Sequence, residues 1–284
     1  MKNPRIIILG ANGLIGSTLY YYLRKMNNLE VFGTIRKLNV SDNPSLIGKV
    51  DFLNTKDSFD VISDIAPSVV INCVGITKHS INYNNIGEVS FINSTLPHLL
   101  SDFSNIQKFK LIHISSDCVF DGQRGNYSEL DLPNSQDLYG KSKFLGELDG
   151  CNGSITIRTS TIGHENYTKY GLLEWFLSQD SSCEGFSKAF FSGLTTLELA
   201  SILYKHFIFD DSIFGLYNLA GPKINKFDLL KIIAKVYEKD IEIKKNEVFF
   251  IDRSLNASKF NDKFGYYVKS WDLMIKEMKE GVIL

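Results

Sequence analysis

Proline is scarce here, six in 284 residues, and no Pro/Gly-rich tract, low-complexity run or internal repeat occurs. Collagen-like and disordered chains are thereby excluded. The four cysteines (Cys73, Cys118, Cys151, Cys183) are scattered, with no CxxC and no metal-ligand spacing. That argues against a disulfide scaffold and predicts a reducing compartment, the cytoplasm. No run approaches the ~18 uncharged apolar residues of a membrane span. The apolar stretch in MKNPRIIILG is too short for a signal peptide and leads directly into a glycine loop. Charge of one sign is also missing: 31 basic residues face 32 acidic ones, giving a net charge of −1 without any like-charge block. Neither nucleic acid nor an anionic membrane is therefore expected as a partner. The five histidines (His79, His98, His113, His164, His206) are dispersed, so no metal centre is expected. His113 reads as a core histidine of its strand, and His79, beyond a strand end, as a ligand contact or a surface residue.

What is present is a globular chain, 44% apolar and 22% charged, with a mean hydropathy of −0.06. Strand-length apolar runs alternate with helix-length segments over the first 160 residues. Residues 5–9 (RIIIL), 31–35, 68–74, 110–115 and 155–158 read as strands, and 14–26, 57–65, 88–103 and 135–148 as helices. Uniformly apolar strands joined by helices imply βαβ units and an α/β, doubly wound parallel sheet. After residue 160 the rhythm loosens, with helices expected at 170–178, 195–207 and 226–237 and strands at 215–219 and 241–244. The division expected is residues 1–160 as a nucleotide-binding domain and 161–284 as a smaller mixed lobe, the chain returning to the first near 193–222.

Gly10-Ala11-Asn12-Gly13-Leu14-Ile15-Gly16 lies between the first strand and the first helix. The first glycine allows a tight turn, the second lets backbone approach a pyrophosphate, and the third lets the helix pack close to the sheet. The helix N-terminus offers N–H groups and a partial positive charge to phosphates. Gly10, Asn12, Gly13, Leu14, Ile15 and Gly16 are thus candidates to hold a dinucleotide. At the end of the second strand, where a 2′,3′-diol meets an acidic residue, stands Thr34-Ile35-Arg36-Lys37. A guanidinium there favours a 2′-phosphate, hence NADP(H) over NAD(H), unless Arg36 and Lys37 are only solvated surface. By position, Asp51 and Phe52 fall near adenine, and Val74, Gly75 and Ile76 border the inner half of the cofactor.

A tyrosine four residues before a lysine shares one helix face with it. A nearby ammonium stabilises phenolate, which lets the phenol exchange protons nearer neutral pH. Two such pairs occur, Tyr21/Lys25 and Tyr139/Lys143. Tyr21 lies well inside the first helix, where aromatic packing is the better reading. Tyr139 heads a helix after the strand at 110–115 and can face the crevice at the strands' carboxyl ends. Ser115 and Ser116 leave that strand there, as carbonyl-binding hydroxyls or as ordinary turn residues.

The glycine loop, Ser115-Ser116-Asp117-Cys118-Val119-Phe120-Asp121-Gly122, Tyr127-Ser128-Glu129 and Leu138-Tyr139-Gly140-Lys141-Ser142-Lys143 together resemble the extended short-chain dehydrogenases/reductases. Within these they resemble the dTDP-4-dehydrorhamnose reductase group. Glu147, Arg158-Thr159-Ser160, Thr195-Thr196, Tyr217–Gly221 and Arg253–Asn256 continue the likeness over nearly the whole chain. Four departures stand out: Ser116 for a common threonine, Cys118 for tyrosine, Asn218 for histidine, and Ser254 in place of a proline.

The resemblance implies a Rossmann-type fold and a catalytic set of Ser116, Tyr139 and Lys143, the last two also touching the cofactor. Asn93 matches a position supporting the active-site region, or serves as a buried hydrogen bond. Ser116, Asp117, Cys118 and Arg253 would meet the substrate. The implied activity is NADPH-dependent reduction of a nucleotide-linked keto sugar, a 4-keto-6-deoxyhexose, in deoxysugar or surface-polysaccharide biosynthesis. NAD(H) is the alternative cofactor, the small nucleotide sugar the expected partner, and a homodimer is compatible. Two rivals stay open: an epimerase or dehydratase that retains its NAD, and a non-catalytic regulatory subunit resembling the methionine adenosyltransferase β subunit.

Overall fold

The computed structural model describes residues 3–36, 43–151, 153–165 and 169–281. Strand β1 (Arg5–Leu9) is the apolar run RIIIL, and Ile6 to Leu9 are completely buried, as in a sheet covered on both faces. It is followed by α1 (Leu14–Arg24), β2 (Glu30–Thr34), β3 (Leu46–Ile47), α2 (Thr55–Ile65) and β4 (Val69–Asn72). Asn54 caps α2 by accepting the Asp57 N–H, and the helix ends on left-handed Ala66, just before Pro67. Next come α3 (Ile86–Ser90), a π-helical turn at Phe91–Thr95, and α4 (Leu96–Gln107), where a single helix over 88–103 was expected. Then follow β5 (Lys110–Ile114), α5 (Leu138–Leu145) and β6 (Ser154–Arg158).

The remaining elements are β7 (Thr161–Ile162), α6 (Leu172–Leu177), β8 (Ser182–Phe186), β9 (Ala189–Phe191), β10 (Leu194–Thr195), α7 (Thr196–Ile202), β11 (Gly215–Asn218), β12 (Ile224–Asn225), α8 (Lys226–Tyr237), β13 (Glu242–Asn246), β14 (Ile251–Asp252), α9 (Ser258–Phe264) and α10 (Trp271–Glu280). Of these, β7, β8, β9, β10, β12, β14, α9 and α10 had no counterpart in the sequence expectations.

The principal sheet has seven strands in the order β11-β6-β5-β4-β1-β2-β3. The pairs from β3 through β6 are all parallel. The order reverses between β1 and β4, which is the Rossmann-type switch point where ligands bind at the strands' carboxyl ends. A core of Ile7, Leu9, Ile62, Val70, Leu96, Leu100 and Leu111 lies under one face.

The chain forms two compact units. The first comprises residues 1–115, 136–157 and 200–216, and the second 116–135, 158–199 and 217–284. The second contains three small sheets, β10-β7, β12-β9-β14 and β13-β8. One of its cores joins Val119, Phe120, Tyr127, Ala220, Leu255 and Ala257. Among the described residues, no helix is long and apolar enough to cross a membrane.

Candidate active site

The glycine turn occupies the carboxyl end of β1. Gly10 has φ +80, and its N–H reaches Thr34 Oγ1 at 3.2 Å, while the Ala11 N–H meets the Thr34 carbonyl at 2.8 Å. A Cβ on Gly16 would stand 2.2 Å from the Gly10 carbonyl oxygen, so the third glycine is a steric requirement. Helix α1 starts behind Gly13 with no side-chain cap and no acidic residue in its first turn. Its leading N–H groups are left for an anion, with Asn12 and Gly13 exposed and Leu14 and Ile15 half-buried beside them. This uncapped, side-chain-poor cradle fits a diphosphate.

Arg36 is exposed just beyond β2, whereas Lys37 lies outside the described residues. Asp51 is exposed and accepts the Leu53 N–H at 3.1 Å. Phe52 is placed more deeply than Asp51. Its ring is buried in the core of the first unit, because it packs under the sheet with Val50 and Ile62. Only its backbone is left to approach an adenine.

Across the switch point, a Cβ on Gly10 would lie 3.3 Å from the Val74 nitrogen, so the turn abuts the segment leaving β4. Val74 and Ile76 are half-buried and Gly75 is exposed. The segment is clamped by Asn93, which sits fully buried in the π-helical turn. Asn93 Oδ1 accepts the Ile76 N–H at 2.8 Å, and Nδ2 donates to the Ile76 carbonyl (3.0 Å) and to Ser142 Oγ (3.1 Å). Its amide is thus committed to holding the 74–76 segment against α5.

Asp137 caps α5 through the Gly140 N–H at 2.8 Å and pairs with Lys78 at 2.9 Å. The helix carries Tyr139, half-buried, and Lys143, 4% exposed, one turn apart. Lys143 Nζ donates to the Ile114 carbonyl at 2.8 Å and lies 3.4 Å from His113 Nε2. Burial lowers Lys143 to about 8, opposed by Glu147 and then Cys73. The Cys73 thiol is pushed by burial up to about 12 and stays protonated. Ser115 Oγ donates to Glu147 Oε1 at 2.8 Å, so this serine is committed to α5's own flank. By contrast, Tyr21 is half-buried with its ring edge-on to Tyr20 at 5.3 Å, consistent with packing.

Ser116, Asp117, Cys118 and Arg253 fall in the second unit and are brought together there. Ser116 Oγ accepts the Cys118 N–H at 3.1 Å and lies 3.2 Å from Asp117 Oδ1. Burial raises the Asp117 carboxyl, with Arg253 opposing. Arg253 Nη1 reaches Cys118 Sγ at 3.4 Å, and its Nε donates to the Phe120 carbonyl at 2.9 Å. Lys226 joins this group unforeseen: burial lowers it, and Asp117, Cys118 and Arg253 all act on it. Only its place at the start of a capped helix could have suggested it.

The serine in the proline position is used in full: Ser254 N donates to Asp252 Oδ1 (3.0 Å) and Ser254 Oγ accepts the Asn126 N–H (2.9 Å). Proline could supply neither bond. Asn218 binds the Tyr127 and Asn256 carbonyls at 2.9 and 3.1 Å, knitting three of the resembling stretches together. Among the described residues no group of His, Cys, Asp and Glu could hold a metal ion.

Comparison with known proteins agrees with the fold. The chain is similar to the crystal structure of dTDP-4-dehydrorhamnose reductase from Bacillus anthracis in complex with NADP. The TM-score is 0.82 at 21% identity, covering 98% of this chain and 99% of that one. A hypothetical dTDP-4-dehydrorhamnose reductase from Sulfolobus tokodaii superposes with a TM-score of 0.77 at 26% identity, over 94% and 98% of the two chains. Bovine (Bos taurus) methionine adenosyltransferase 2 subunit beta is 32% identical over 162 residues, 56% of this chain and 47% of that protein. The matched stretch thus spans about half the length of that curated relative. A family match described as "RmlD substrate binding domain" runs over residues 4–178. Because that match takes in β1, the glycine turn and the Tyr139–Lys143 helix, and extends past β6, this chain belongs to the RmlD substrate binding domain family.

Proposed function

We propose that this protein is a nicotinamide-dependent reductase of a nucleotide-linked keto sugar, a 4-keto-6-deoxyhexose, with NADPH preferred over NADH. The observation that supports it most is Lys143, buried beneath the Tyr139 turn and held by the Ile114 carbonyl. A lysine so desolvated, one turn from a tyrosine, is an arrangement for moving a proton rather than for solubility.

Bound nicotinamide would supply the hydride. Gly10, Asn12, Gly13, Leu14, Ile15 and Gly16 would hold its diphosphate, Arg36 a 2′-phosphate, and the segment Val74–Gly75–Ile76, with Tyr139 and Lys143, its inner half. Asp51 and the Phe52 backbone would border the adenine. Asn93 acts through that segment, by fixing it. Tyr139 gives its phenolic proton to the carbonyl oxygen, Lys143 stabilises the phenolate left behind, and the Ser116 hydroxyl polarises the same carbonyl. Asp117, Cys118 and Arg253 orient the sugar and its linker, the guanidinium suiting phosphate oxygens.

Reduction is measured as NADPH absorbance loss on a panel of dTDP-, GDP- and UDP-linked 4-keto-6-deoxy sugars. Tyr139→Phe should cut kcat by ~10²–10⁴, the range for losing a general acid, with NADPH affinity near normal. Full activity in that variant would refute the mechanism. Arg36→Ala should weaken NADPH far more than NADH, and an equal loss of both would remove Arg36 from the cofactor. A second reading, a regulatory subunit, is favoured by the similarity to methionine adenosyltransferase 2 subunit beta. Co-purification with a partner enzyme, together with no turnover on any keto sugar, would select it.

A further inference from the structure

Behind Lys143, a row of buried polar groups runs across two strands, and the order of donors and acceptors along it is constrained. Asn72 and His113 are register partners on β4 and β5, and both are fully buried. Asn72 Oδ1 accepts the Val74 N–H at 3.0 Å, which turns its Nδ2 donor toward His113 Nδ1 at 3.1 Å. A nitrogen that accepts cannot carry the ring proton, so the neutral imidazole must hold it on Nε2. Nε2 is the atom 3.4 Å from Lys143 Nζ. An N–H aimed at that nitrogen is compatible with a neutral amine, whose lone pair accepts it, and conflicts with an ammonium, which has donors only.

We propose that His113 is a positioning residue for Lys143: its ring tautomer and the charge of the lysine form one coupled equilibrium, anchored at its far end by the Val74 amide. The protons balance simply. When Lys143 takes a proton from solvent, His113 moves its own ring proton from Nε2 to Nδ1, and Nε2 becomes the acceptor for the ammonium. Asn72 must then turn its amide so that Oδ1 accepts from Nδ1, and the Val74 N–H loses its acceptor. Net uptake is one proton, held on Lys143. The lysine's charge is thereby transmitted to the segment 74–76, which under the proposed function borders the cofactor. The functional meaning rests on that reading; the coupling itself does not.

The groups facing this row are few. Glu147, just past the end of α5, favours the charged lysine, and the Cys73 thiol beyond β4 faces it still protonated. His98 on α4 and Lys143 itself both disfavour a charged His113, which burial already holds well below its ordinary value. The imidazole therefore stays neutral, and only its tautomer is free to respond.

The test is 15N NMR of histidine-labelled protein, with His113 assigned by the signals lost in His113→Asn. Well above about 8, the value to which burial lowers Lys143, the ring should be protonated on Nε2 and bare on Nδ1. Well below it the pattern should reverse. Lys143→Met should keep the Nε2–H form throughout, and Asn72→Asp, an acceptor only, should hold the Nδ1–H form throughout. A wild-type ring whose tautomer never changes, or a reversal that survives in Lys143→Met, would overturn the coupling. Inactivity on every keto sugar would refute the reductase reading and leave these signals as stated.

Discussion

Lys143 shows how much of this molecule is decided one side chain at a time. A buried ammonium whose value falls from 10.5 to about 8 costs the folded state about 3 kcal/mol at neutral pH. The folded-state value is the lower one. Between about 8 and 10.5 the unfolded chain therefore binds a proton that the folded chain does not, and stability rises with pH across that window. Lys143→Met should raise the melting temperature at pH 7, and its advantage should vanish by about pH 10.5. Thermal melts of both proteins at the two pH values check this, and an unchanged difference would show the lysine to be hydrated. Tyr139 and Lys143 were legible in the sequence because spacing and position together marked them. Asn72 and His113 were not, because their partnership exists only once β4 and β5 lie side by side. Cross-strand register separates them by forty-one positions in the chain.

At the scale of elements, the apolar strands and the capped helices were the readable part. Residues 226–237 form α8 as expected, with Asn225 accepting the Asp228 N–H at 2.9 Å. In the second unit β13 was read near 241–244 but its partner β8 was not, since the pair is made by segments some sixty residues apart and the sequence of β8 alternates only weakly. Helix α10 was readable in principle: Trp271, Met274, Ile275 and Met278 are its buried face and follow the 3.6-residue period. The π-helical turn had no such signal, yet it carries the Asn93 clamp, and turns of this kind recur at functional sites. The glycine turn allows a sharper test. In Gly16→Ala the new methyl meets only backbone, at 2.2 Å from the Gly10 oxygen, and nothing flexible can yield. The variant should lose about 1–3 kcal/mol of stability and bind NADPH more weakly, as read by denaturant melts and a cofactor titration. Unchanged values in both would mean that the helix can stand off from the turn.

Considered whole, the chain is woven rather than cut. It passes between its two units after residues 115, 135, 157, 199 and 216, so neither unit is a contiguous stretch of sequence. A fragment of residues 1–160 holds every glycine-turn and Tyr139-helix residue, but it lacks the 200–216 part of its own unit. It also loses β11, the neighbour of β6 in the sheet, and the Asp210 carbonyl that receives buried Lys110. Expressed alone, that fragment should aggregate or fail to melt cooperatively. A soluble fragment with a sharp transition would show that the sheet stands without its last strand.

The strand order also sets a timetable for synthesis. Strand β6 leaves the ribosome about 60 residues before its outer neighbour β11, an interval of ~3–12 s at ordinary elongation rates. Throughout that interval the nascent sheet displays an unpaired, apolar edge (Ile155 and Ile157 lie on it), the kind of template that recruits strands from other chains. Slow translation across residues 158–216, or crowding of nascent chains, would lengthen that exposure. The yield of folded protein is therefore governed by when the last strand arrives as much as by how well it fits.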